Sequence, residues 1–158
     1  MSRRHCTALL AAALLAGGVS AAAAESSAIA IVVHQSAPID NLSMQQLRNI
    51  FLADQQFWDD RTRISLLVRA PQSDERDFVL NRIYRMTEVQ FRQYWIAKMF
   101  RAEIPRGPKI VFSTDMTLDL VVAIPGSISF MRASEVSDAV KVVRIDGKLP
   151  DQDGYPLQ

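Results

Sequence analysis

The sequence predicts an α/β domain with a mostly parallel sheet flanked by helices. Apolar runs of strand length alternate with segments whose apolar residues recur at helical spacing. The run 28–33 is continuously apolar, the pattern of a strand covered on both faces, and 64–68 is a second apolar strand. Cap residues stand where helices are expected to begin, at Ser43, Ser73, Thr87 and either Ser113 or Thr114. Strands that alternate with helices pair in parallel through crossovers, so one sheet is expected.

Residues 1–24 precede that pattern and read as a cleavable signal peptide. Arg3 and Arg4 give a positive start, residues 8–16 an apolar stretch too short to span a bilayer, and Ala22-Ala23-Ala24 a small-residue cleavage site. His5-Cys6-Thr7 after the arginines lack the apolar residues of a twin-arginine signal, which favours general secretion. The expectation is a periplasmic domain of residues 25–158 with no stable membrane insertion. It has no cysteine and one histidine, His34, so thiolate chemistry and a His-rich metal site are excluded. No cofactor is expected.

Along the domain, the first strand is residues 28–33, and His34 after it is expected near the ligand-bearing edge. A turn at 38–41 leads to Ser43, which caps a helix carrying Met44, Leu47, Ile50 and Phe51 on one face. Residues 64–68 form the next strand. Ser73 then caps a helix with Asp74, Glu75 and Asp77 in its first turn, where negative charge suits the helix dipole. Phe78, Val79 and Ile83 are its core side.

Thr87 and Gln90 fit a capping box that opens a helix with Phe91, Trp95 and Met99 four apart, and Ile96 and Phe100 beside them. This stripe is read as core. After a short strand at 110–112, Ser113 or Thr114 caps a helix carrying Met116, Leu120 and Ile124. Pro125-Gly126 ends it. Residues 127–131 and 140–145 are the last strands, and the tail beyond Gly147 reads as loosely held.

Charge is segregated. Residues 61–109 hold eleven Lys and Arg against five Asp and Glu, between two acidic flanks. Arg82, Arg85 and Arg92 are expected on an exposed helix face open to an acidic partner. The excess is too small and too interleaved with acids for nucleic acid. Nucleophile-elbow, zinc-protease and P-loop motifs are all missing, which argues against an enzyme.

Ligands of such sheets bind beyond the carboxyl ends of strands, at helix N-termini. Arg69, Ser73 and Arg76 lie on one strand-to-helix junction and Ser113 and Thr114 on another. Together they are the candidate cradle for an oxyanion.

The chain also resembles a family. Leu42-Ser43, Leu47, Ile50-Phe51-Leu52 and Trp58 are similar to the "Ls…L…IF.G….W" stretch of phosphate-type periplasmic substrate-binding proteins. Arg69, Ser73 and Phe78 match positions of their "R.dGSGT…F" segment, and Phe91 and Trp95 an aromatic pair. Val121 with residues 125–130 resembles "V…pGaIGY", and residues 142–147 "v…idG". The resemblance implies one lobe of a type II periplasmic binding protein that binds phosphate or a related oxyanion beside an ABC importer. Two features depart from the pattern. The glycine-rich segment of the other lobe is missing, and Asp74-Glu75 stand where the family has Gly and Thr. They leave a second reading open, a receptor lobe that now contacts another envelope protein or its own copy.

Overall fold

A computed structural model describes residues 27–158; the signal-peptide reading lies outside them. The strands are β1 (Ile29–Val33), β2 (Asn41–Leu42), β3 (Ser65–Arg69), β4 (Lys109–Val111), β5 (Ser127–Arg132) and β6 (Lys141–Ile145). They form one sheet in the order β2-β6-β1-β5-β3-β4. β3 runs parallel to β4 and β5, and β2 parallel to β6, whereas β1 is antiparallel to both its neighbours. Five strands therefore share a direction and β1 alone opposes them. The carboxyl ends of β5, β3 and β4 consequently meet at one edge.

The reversed β1 corrects the placement of His34. It emerges at the opposite edge, where its N–H reaches the carbonyl of Ser127, the first residue of β5, at 3.3 Å. There Nδ1 bonds the Ser36 side chain.

Three helices, α1 (Met44–Phe51), α2 (Asp74–Val79) and α3 (Glu88–Phe100), cover one face, and α4 (Thr114–Ala123) packs on the other. β1 shows why its run is continuously apolar. Ile29, Ile31 and Val33 enter the three-helix core, while Ala30 and Val32 face α4. Aromatic rings tie the larger core together, with Tyr84 edge-on to Phe91 at 4.9 Å and Phe91 to Trp95 at 6.0 Å.

Each expected cap is formed. Ser43 and Thr87 make full capping boxes with Gln46 and Gln90, and the hydroxyls of Ser73 and Ser113 accept from the N–H of Arg76 and Met116. The helix after α2 widens into a π turn over Leu80–Tyr84, which Arg85 closes in the left-handed region at φ 55°. Trp58 packs on the core and donates Nε1–H to the Gly126 carbonyl at 2.9 Å.

Three expectations need correction. On α3, Phe91 and Trp95 are buried, but Ile96, Met99 and Phe100 face outward, and Lys98 takes the inward place. It does so because Asp54 holds its ammonium at 2.6 Å. On α4 the buried residues are Thr117 and Val121, with Met116 and Leu120 only partly covered. Thr117 is tolerated there because its hydroxyl donates to the Ser113 carbonyl at 2.9 Å. The tail is anchored rather than loose. Ile29 N–H bonds the Leu157 carbonyl at 2.8 Å, the Tyr155 hydroxyl donates to the Ile29 carbonyl, and both tail side chains are buried.

Candidate oxyanion site at the strand-end rim

Parallel pairing sets Arg69 of β3 opposite Val111 of β4, and Ala70 N–H bonds the Val111 carbonyl at 2.8 Å. The Ser73 and Ser113–Thr114 junctions therefore stand side by side on one edge. Alternation along β3 sends Arg69 to the same face as Leu67, the face that α4 covers. Gln72 turns the chain at φ 71° to reach the Ser73 cap.

The five candidate residues do not act alike. Arg69 sits half-buried at the strand end; its Nη1 is buried with no acceptor among the described residues, and it enters no ion pair there. Ser73 and Ser113 accept backbone N–H groups through their oxygens, at 3.2 and 3.0 Å, and keep their hydroxyl protons for another acceptor. Thr114 is partly committed, donating Oγ1–H to Glu135 at 3.0 Å.

Arg76 departs from the expected role. Its side chain is 2 % exposed and points inward. Nε and Nη2 donate to the two Glu88 oxygens at 2.8 and 2.9 Å, Nη1 donates to the Arg69 carbonyl, and the guanidinium lies over the Phe91 ring at 4.7 Å. Its donors are consumed within the chain. Arg76 staples the β3–α2 junction to the start of α3 and positions Arg69 instead of facing solvent.

Sequence reasoning missed two further residues of this rim. Arg132, the last residue of β5, donates to Glu75 at 3.0 Å and to Asp74 at 3.1 Å. Glu135 follows on the short helical turn after it. The signal was available, since the residue that ends an apolar strand falls on the same edge as the other strand ends. Arg132 thus bonds both Asp74 and Glu75 and offsets one of their two charges. Burial opposes ionisation of Glu75, yet a backbone hydrogen bond, the Arg132 bond and the charges of Arg69 and Arg132 outweigh it and hold the carboxyl below its usual range. A cavity of about 210 Å³ opens beside this cluster, lined by Ser27, Ile29, Asp74, Glu75, Phe78 and Arg132.

Among the described residues no cluster of His, Cys, Asp or Glu could hold a metal ion, and no helix is long and apolar enough to cross a membrane.

No protein-family model matches the chain, and no curated protein matches it. Solved structures do. An ABC-type phosphate transport receptor from Vibrio cholerae superposes with a TM-score of 0.65 at 21 % identity, over 82 % of this chain and 52 % of the receptor. A phosphate ABC transporter substrate-binding protein from Clostridium perfringens, with bound phosphate, gives 0.63 at 20 % identity, over 78 % and 46 %. PstS from Borrelia burgdorferi gives 0.65 at 15 % identity, over 82 % and 53 %. The chain spans about half the length of these proteins. Its sheet order, its strand-end rim and these superpositions together give it the fold of the phosphate-type substrate-binding proteins.

Proposed function

We propose that this chain is an exported, periplasmic substrate-binding-protein-like domain that holds phosphate or a related small oxyanion and serves phosphate ABC import. Arg69 supplies the charge, and Ser73, Ser113 and Thr114 supply hydroxyl donors around it. Arg76 acts behind them by holding the loop. The observation that carries the reading is Arg69, a half-buried guanidinium whose Nη1 is buried without an acceptor and which makes no direct ion pair among the described residues. An arginine in that state gains from any anion that reaches it.

Asp74, Glu75 and Glu135 lower the local potential, and the open rim leaves a bound anion hydrated on one side, so affinity is weaker than in a closed cleft. Calorimetric titration with phosphate, sulfate and acetate tests this. Saturable phosphate binding that Arg69→Ala abolishes supports it. No heat and no rise in Tm at about 10 mM phosphate refutes it.

A second reading is a module that binds another envelope protein, favoured by one observation. Phe100 and Phe112 are 91 % and 73 % exposed, near opposite ends of the segment that leads into and through the edge strand β4. Enrichment of one partner by the native protein, lost with Phe100→Glu, supports it. A strictly monomeric protein that enriches nothing refutes it.

A further inference from the structure

The edge of the sheet opposite the rim contains a half-open cavity of about 120 Å³. It lies between the end of α1, the start of β3, α3 and the loop that leads into β4. Its lining is mixed: Ile50, Leu66, Trp95 and Ile104, all buried, give an apolar patch beside Gln55, Gln56 and Ser65, and the buried Trp95 Nε1–H has no acceptor among the described residues. At its mouth stand three exposed cations, Arg63, Arg106 and Lys109.

None of the three forms an ion pair among the described residues, and no Asp or Glu lines the cavity. Arg63 donates to the Gln56 amide at 3.1 Å and lies over the Phe57 ring, both uncharged partners. Asp54 and Glu103, which adjoin lining residues in the chain, are engaged elsewhere. Lys98 holds Asp54 at 2.6 Å and Glu103 at 3.8 Å, and Arg101 also binds Glu103. Three cations lining one opening, with no carboxylate in the lining, raise the local potential and draw an anion. The apolar patch behind them rewards a ligand with an apolar body, which inorganic phosphate lacks.

We infer that this cavity binds a small organic carboxylate. A short-chain or single-ring body lies against Leu66 and Trp95, and its carboxylate meets Arg63, Arg106 and Lys109 at the mouth. The site is independent of the rim, since Arg69 and the strand-end serines lie at the other edge of the sheet.

Benzoate is the probe, and the readout is the ¹⁵N–¹H spectrum of the protein, followed at the Trp95 indole and the Gly107 amide. Both signals are expected to shift saturably. Benzyl alcohol and inorganic phosphate should bind there at least about tenfold more weakly. The double variant Arg106→Ala/Lys109→Ala should weaken benzoate by at least about tenfold with Tm unchanged, because both side chains are exposed. Arg69→Ala should leave benzoate binding intact, which separates this site from the proposed oxyanion rim. Three results would each overturn the inference: no saturable shift, equal binding of benzyl alcohol or phosphate, or a double variant that binds benzoate as the native protein does.

Discussion

The ion pair between Arg76 and Glu88 predicts an asymmetric response to removing either partner. Arg76 is 2 % exposed and Glu88 33 %. Deleting Glu88 strands a guanidinium that water does not reach, still over Phe91 and still bonded to the Arg69 carbonyl. Breaking a buried pair in this way costs about 3–5 kcal/mol, and loss of a first-turn acid from α3 adds about 0.5 kcal/mol. Deleting Arg76 strands a carboxylate that can hydrate. Arg76→Met also keeps much of the stem's packing. The expected cost is about 1–2 kcal/mol.

Urea unfolding of the native protein, Glu88→Ala, Arg76→Met and the double variant measures all four corners. Glu88→Ala should be the worst of the single changes, with Tm lowered on the order of 10–15 °C. The double variant should be more stable than Glu88→Ala, because it removes the stranded charge, and the coupling should reach about 1.5–3 kcal/mol. The reasoning fails if Glu88→Ala is nearly neutral. It fails equally if Arg76→Met leaves stability untouched while abolishing the proposed oxyanion binding, for then Arg76 is a ligand residue and not a staple.

Two other perturbations follow from the same geometry. Gly126 has φ +84°, and a β-carbon there would run into the Arg63 carbonyl oxygen, so Gly126→Ala should cost about 2–4 kcal/mol in urea unfolding; a loss below 1 kcal/mol would contradict the tight approach. Glu75 titrates below its usual range when folded, so its ion pair stabilises the fold above the ordinary Glu range and the benefit is lost as pH falls through the depressed value. Arg132→Gln should therefore destabilise at neutral pH, and the gap from the native protein should narrow in acid; a gap independent of pH would remove the linkage.

What could be read in the sequence was what local chemistry decides. Ser43, Ser73, Thr87 and Ser113 cap helices because a short hydroxyl side chain meets free N–H groups wherever a helix begins, and that depends on neighbours three residues away. The misreadings share one cause, namely that the direction of a strand or of a side chain depends on partners distant in the chain. Arg69 and Arg76 are seven residues apart on one junction and look equivalent in sequence. Glu88 on the next helix decides that Arg76 turns inward, and no periodicity within 69–76 could show it. Lys98 displaces Met99 from the core for the same reason, through Asp54 forty-four residues earlier. His34 was placed at the wrong edge because strand direction is a property of the sheet; β1 is as apolar as a parallel strand when both faces are covered, whichever way it runs. An ionic residue beside a cap is therefore weaker evidence for a ligand than the cap is for a helix. In this chain the test of such a residue is whether its charge is already answered, and by that test Arg69 remains at the rim while Arg76 belongs to the fold.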